Sequence, residues 1–355
     1  MMSTRGVHSR EVQRLSDRWT KQLAMVLASE NQIRYTLVDR IRTAQLFVFR
    51  IVLDEAPHLN KVLKMDDQIG MRLGVQTPRL TRNDRTIDIE LVLPKDFQRV
   101  LSVGALPQQP NTTWVTVGQT PIGAPVRINL AGNNTAHTLI AGRTGSGKTV
   151  VEQLISYILA TNTKPQDVGL ILIDGKGGTE WWGFKNVQHL CHPIIGNAAE
   201  AVNALAWAVK EMDQRRHQGY SEPSIFVVID ELRDLIELAG DAVPKALSRL
   251  VSVGRQWGIH VIAATQHPLT DAIGGSIANA NFSMRLVGQV VNARNAYLAS
   301  GVSGTGAEKL HGEGDFLAVV NGRPLRLQMG FVGLMGSPAG MDVNTTGMII
   351  KKTSL

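Results

Sequence analysis

The period of hydrophobic and polar positions changes along the chain. Residues 9–29 place Val12, Leu15, Trp19, Leu23, Val26 and Leu27 at spacings of three and four, which predicts an amphipathic helix with one packing face. Strand-like runs at 33–39 and 44–53 follow, then a helical stretch at 59–74 and another strand-like run at 85–94. Together these predict a small α+β unit. Residues 102–125 are rich in Gly, Pro, Gln and Thr and predict a linker. From about 126 the pattern becomes short β runs (VRINL, HTLIAG, VGLILID, SIFVVID, HVIAAT) alternating with longer helical segments. That alternation predicts an α/β fold with a mainly parallel sheet covered on both faces. Residues 336–355 have no strong period and predict a loose end or an edge strand. The expected division is a helix at 1–32, a small α+β domain at 33–110, an α/β domain at 111–334 and a tail at 335–355.

Composition narrows the class. With 355 residues, 43% of them hydrophobic and 19% charged, the chain is expected to fold as two or three domains, and a disordered or low-complexity protein is excluded. No apolar run approaches the ~18 residues of a membrane-spanning helix, and the first residues are polar, unlike a signal peptide. The expectation is a chain that does not insert in a membrane and works in the cytoplasm. Cys191 is the single cysteine, which excludes an intramolecular disulfide and a cysteine-based zinc site. It reads as a small core residue. Net charge is +7, and residues 1–110 carry 17 basic against 12 acidic residues, so the excess lies towards the front. This hints at an anionic partner without identifying one.

One motif carries specific chemistry. The apolar run His137–Ala141 leads directly into Gly142, Arg143, Thr144, Gly145, Ser146, Gly147, Lys148 and Thr149, and Val150 continues into a helical pattern. This is G-x-x-x-x-G-K-T in the strand-loop-helix setting of a phosphate loop. Glycines let the backbone fold around phosphate with N–H groups pointing inward, at a helix N-terminus whose dipole favours anions. Lys148 then reaches the β and γ phosphates of ATP, and the Thr149 hydroxyl is a ligand for Mg²⁺.

Such a site also needs an acid at the end of a neighbouring strand. The run 224–229 is apolar and ends in Asp230, the candidate anchor for Mg²⁺, and Glu231, the candidate base for the attacking water. Asp174, which ends VGLILID, is a rival acid on the same sheet edge. Gln266 follows the strand run at 260–265 and is a candidate sensor of the γ-phosphate.

Taken with the phosphate loop, the segments EAVNALAWAVKEMDQRR (200–216), FVVIDELRDL (226–235), VGRQWGIHVIAATQHP (253–268) and GAEKLHGEGDFL (306–317) resemble the motor of the FtsK/SpoIIIE family, within the FtsK–HerA superfamily. The front resembles the small α domain that precedes that motor, and 117–131 resembles its entry strands. The resemblance covers about residues 35–332. It implies a RecA-like P-loop NTPase that hydrolyses ATP with Mg²⁺ and moves double-stranded DNA through a homo-hexameric ring. It also implies that Arg255 is offered across the subunit boundary to a neighbour's γ-phosphate. The family's larger members carry a membrane region and a winged-helix module, and with about 30 residues ahead and about 20 behind, a minimal form lacking both is expected. Lys176, Lys185, Arg215 and Arg216 are candidates for DNA contact. Residues 1–32 are open between a packing helix and a docking element for a recruiting protein. Related modules in conjugation coupling and protein secretion supply one alternative function, and an ATP-controlled DNA-binding switch supplies another.

Overall fold

The computed structural model describes residues 4–29, 33–175 and 177–333, so Lys176 and the tail at 335–355 lie outside the described residues. Two sheets organise the chain. The first contains β1 (Tyr35–Arg42), β2 (Leu46–Leu53), β3 (Arg79–Asn83) and β4 (Thr86–Val92) in the order β1-β2-β4-β3, with every neighbour antiparallel. Helix α1 (Thr4–Ser29) places Leu15, Trp19, Leu23 and Leu27 in one core with Phe47, Phe49 and Ile89 of this sheet. The Trp19 indole meets the Phe47 ring edge-on at 6.0 Å, and its Nε1 donates to the carbonyl of Leu73 at 3.2 Å, so the buried polar atom is satisfied. The first helix is thus a packing helix of this unit.

Two local features differ from the pattern. The helical stretch at 59–74 divides into α2 (Leu59–Val62) and α3 (Asp66–Leu73) because Met65, with φ −92° and ψ 15°, leaves helical geometry. Asp66 and Asp67 then occupy the first turn of α3, where the helix dipole favours acids. Strand β3, with sequence RLTRN, lacks apolar alternation and forms through a two-residue turn at Asp84–Arg85, in which Asp84 takes φ 51°.

The second sheet has nine strands. Its parallel half runs β11 (Met284–Val287), β7 (His137–Ala141), β10 (Ile259–Thr265), β9 (Ser224–Asp230) and β8 (Val168–Asp174). Beyond β11 the sheet continues antiparallel through β12 (Asp315–Val320), β13 (Arg323–Met329), β5 (Trp114–Gln119) and β6 (Pro125–Asn129). The linker expected at 102–125 therefore contains β5. Its Val115 and Val117 are buried in the core despite polar, glycine-rich flanks.

Helix α4 (Lys148–Asn162) covers one face through Leu154, Ile155 and Ile158. On the other face lie α5 (Ala198–Gln218), α6 (Leu232–Ala239) and α7 (Ala242–Val253), with Leu205, Leu235 and Leu247 fully packed. The short α8 (Ser276–Asn281) adjoins α7, and α9 (Ala293–Ser300) adjoins β11. Cys191, expected in the core, is exposed.

A buried charge network ties the two sheets together. Arg326 on β13 donates to Asp315 of β12 at 2.9 and 2.6 Å and to Glu90 of β4, all three side chains being buried. Around it, Lys95 pairs with Glu313 at 2.6 Å and Lys309 pairs with Asp66. Among the described residues, no helix is long and apolar enough to cross a membrane.

Candidate nucleotide site

Strand order decides where a site can form. The chain leaves β7 by α4 to reach β8 at the sheet edge, steps back through β9 and β10, and then places β11 on the other side of β7. The carboxyl end of β7 is therefore a topological switch point, the place where open α/β sheets bind ligands. Gly142, Asp230 and Gln266 all follow or end strands on this edge, and Asp174 is in register with Asp230.

The loop backbone has the shape its glycines allow. Gly145 and Gly147 adopt φ 80° and 101°, a region that disfavours any residue with a Cβ. At Gly142 a Cβ would come within 2.6 Å of the Ser146 hydroxyl. Gly147 precedes α4 without a side-chain cap, so the first N–H groups of that helix remain available to an anion. Lys148 is buried, and its Nζ donates to the Gly142 carbonyl at 3.0 Å, folding the cation back over the loop.

The acids stand where strand ends place them. The Thr149 hydroxyl lies 3.5 Å from Asp230 Oδ2, which brings two hard oxygen donors to one point. Glu231 is 3% exposed and adopts φ 54° and ψ 70°, a left-handed conformation uncommon for a residue other than glycine. Its Oε1 accepts from the Gln266 N–H at 3.2 Å and lies 3.4 Å from the Thr265 hydroxyl, while its Oε2 is buried without a hydrogen-bond partner. One oxygen is pinned and the other has no hydrogen-bond partner. Gln266 Oε1 in turn accepts from the Thr144 hydroxyl at 2.6 Å, so Gln266 bridges the phosphate loop and Glu231. A cavity of about 540 Å³ opens between Lys148, Thr149, Asp230, Glu231 and Gln266.

Sequence reasoning passed over Glu152. It lies one helical turn beyond Thr149, is fully buried, and has no hydrogen bond to either carboxyl oxygen. Burial, reinforced by the charge of Asp230, holds its pKa well above the carboxylate range. Its i+3 spacing from Thr149 was the signal in the sequence.

Other candidates fall elsewhere. Arg255 is exposed just before β10, at the opposite edge of the parallel strands, where its Nη1 donates to the carbonyl of Asn133 at 3.0 Å. Arg215, a candidate for DNA contact, is instead 1% exposed. Its Nη1 serves the carbonyls of Ser221, Pro223 and Trp257 at 3.1, 2.7 and 2.9 Å, and its Nε pairs with Glu211 at 2.9 Å. It staples loops together and offers nothing to a phosphate backbone. Arg216 is exposed, and Lys185 sits 5.4 Å over the exposed Trp182 ring.

Comparison with known proteins speaks to family and fold. The FtsK/SpoIIIE family model matches residues 98–222. The DNA translocase SftA of Bacillus subtilis (strain 168) is 30% identical across 88% of this chain and 35% of its own length. The DNA translocase FtsK of Borreliella burgdorferi is 29% identical across 89% of this chain and 44% of its own length. The chain belongs to the FtsK/SpoIIIE family. It spans less than half the length of these family relatives. Among solved structures, the pCW3 conjugation coupling protein TcpA, in a monomer form with ATPγS, superposes with a TM-score of 0.59 at 19% identity, over 88% of this chain and 95% of that one. The cytoplasmic domain of the Thermomonospora curvata Type VII secretion ATPase EccC gives 0.56 at 21% identity, over 67% of this chain and 30% of that one. The fold is that of the P-loop ATPases.

Proposed function

We propose that the chain is the motor of an ATP-driven double-stranded DNA translocase that works as a homo-hexameric ring. The observation that carries the chemistry is Glu231, pinned by one oxygen and presenting the other, buried and unpartnered, beside Lys148 and Asp230. In this reading the loop N–H groups and Lys148 hold the triphosphate, and Glu231 orients the attacking water and takes its proton as the γ-phosphate is released. Thr149 and Asp230 are oxygen donors that would hold Mg²⁺, which would supply neutralisation of phosphate charge. Gln266, linking Thr144 to Glu231, would carry the state of the γ-phosphate to the loop beyond β10. Arg255 lies at the far edge of the sheet from its own phosphate loop, so any contact with a γ-phosphate would be made to a neighbouring copy.

DNA as the partner rests on family membership, the +7 charge and the basic front. The test is ATP turnover at low salt with and without duplex DNA. Duplex should raise the rate strongly, and added salt should remove the stimulation, because phosphate contacts release counterions. A rate indifferent to duplex DNA would overturn translocation and favour an ATPase that serves partner proteins. Displacement of a triplex-forming strand separates a moving motor from a DNA-binding switch.

A further inference from the structure

Packing occupies only one face of α1. Val12, Leu15, Trp19, Leu23, Val26 and Leu27 are buried, whereas Arg10, Arg14, Arg18 and Lys21 are all exposed. With 3.6 residues per turn and 1.5 Å per residue, these four cations share an arc of about 80° and a length of about 17 Å on the outward side. None of the four takes part in a hydrogen bond or ion pair among the described residues. The helix carries five cations against two carboxylates, and one of those carboxylates, Asp17, is paired with Arg40 of β1 at 2.9 Å. At the far end of the stripe the exposed Arg72 of α3 stands close by, since Gln22 Nε2 donates to its carbonyl at 3.2 Å.

Unpaired cations on one rigid face attract a polyanion, and the rest of the helix narrows which one. Holding an anionic bilayer takes apolar side chains inserted below the headgroups as well as charge. Here the apolar face is used in the core, and Met25 is the one large apolar side chain that α1 exposes among the described residues. Single-stranded nucleic acid is held by stacking its bases on aromatic rings. Trp19 is the only Phe, Tyr or Trp of the helix and it is buried. Reading base edges takes amides or guanidinium groups set to particular bases, and the amides of Gln13 and Gln22 are already engaged by Asp17 and Arg72. A duplex, by contrast, presents about ten phosphate charges over the same 17 Å or so. Three guanidinium groups and an ammonium match such a backbone without reading its sequence.

We propose that the outward face of α1 is a sequence-independent contact surface for the phosphate backbone of duplex DNA, separate from the nucleotide cavity. The inference rests on duplex DNA as the partner, and it gives α1 a second task besides packing.

Binding of a short labelled duplex of arbitrary sequence to the full chain, without nucleotide and across a salt series, tests it. The variant Arg10→Gln/Arg14→Gln/Arg18→Gln/Lys21→Gln keeps good helix formers at each position. It should bind at least roughly tenfold more weakly, and its slope of log affinity against log salt should flatten by about 3. A charge-matched variant with Arg127, Lys164, Lys210 and Arg323, all exposed elsewhere, changed to Gln should lose much less. Equal losses in the two variants, or an unchanged slope in the first, would overturn the inference. An unaltered chain that binds phosphatidylserine vesicles and no duplex would overturn it in favour of a membrane surface. If the fourfold variant unfolds early in a thermal melt, Arg14→Gln/Arg18→Gln is read in its place. A flattening of about 2 is then expected, and none would overturn the inference. ATP turnover, measured on the same proteins, separates this surface from the translocase reading. Duplex binding that depends on the stripe while turnover ignores duplex refutes translocation and leaves the surface standing. Stimulation by duplex with the same concentration dependence in the unaltered chain and the fourfold variant does the reverse.

Discussion

The two halves of the nine-stranded sheet share a hydrophobic core but do different work. In the parallel half, strands end together at one edge and the polar residues beyond them converge: Asp230 and Gln266 meet the phosphate loop, Glu231 joins through Gln266, and Asp174 stands in register with Asp230. In the antiparallel half, neighbouring ends point in opposite directions and no such convergence occurs. Its polar investment is lateral, through Arg326, Asp315 and Glu90, and it reaches the first sheet. Parallel pairing gathers groups for chemistry, and antiparallel pairing holds a second unit in register with it. The loop at 311–314, joined to Gly145 and Ser146 on one side and to Lys95 on the other, is where the two tasks meet.

The comparison can be broken from the chemical side first. Glu231→Gln keeps size and removes the proposed base, so turnover should fall by about 10² to 10⁴ while ATP binding, followed by fluorescence, persists. Retained turnover would assign the base elsewhere. From the coupling side, Arg326→Met strands two buried carboxylates, and denaturant unfolding should show a loss of about 3 to 5 kcal/mol. ATP affinity, read on the folded fraction, should change far less. A collapse of ATP binding with unchanged stability would invert the roles assigned to the halves.

A pH series sharpens the contrast further. Burial lowers His137 on β7 to about 3 and His260 on β10 to about 4, from 6.5. In the unfolded chain these rings protonate first, so the stability of their neutral form is complete above about pH 6.5 and is lost as pH falls towards 4. At pH 4 the loss is about 3 kcal/mol for each as an order of magnitude. His311, beside the antiparallel half, is also lowered by burial to about 4 and adds to the same slope. Thermal melts from pH 7 to 4 should fall steadily, and His137→Asn with His260→Phe should remove most of the decline. An unaltered slope in that variant would move the acid-sensitive groups elsewhere.

What the sequence disclosed followed from local physics. The strand-loop-helix around Gly142–Thr149 and the acids after 224–229 are short-range patterns, and both were legible. Strand β5 was not, since TWVTVGQ is buried by partners that arrive some two hundred residues later in β13. Strand β3 was hidden for a similar reason: its pairing with β4, not its composition, makes it a strand. Arg215 shows the opposite failure. A basic residue near a helix end looks solvated, and only the folded chain brings three carbonyls from two loops around it. The meeting of Gln45 and Gln328 at the Glu313 carbonyl was invisible because the two lie 283 positions apart.

Glu231 carries a wider consequence. Its left-handed backbone disfavours any side chain by about 1 to 2 kcal/mol, and its unpartnered oxygen adds a desolvation penalty. Glycine would relieve both at once. Hence, if Glu231 is the base proposed above, the most stable version of this chain is not its most active one, and a library of variants screened only for heat resistance would discard the glutamate at 231 early. Under that proposal heat resistance is a poor surrogate for function, and a screen meant to preserve the proposed motor must include a turnover readout.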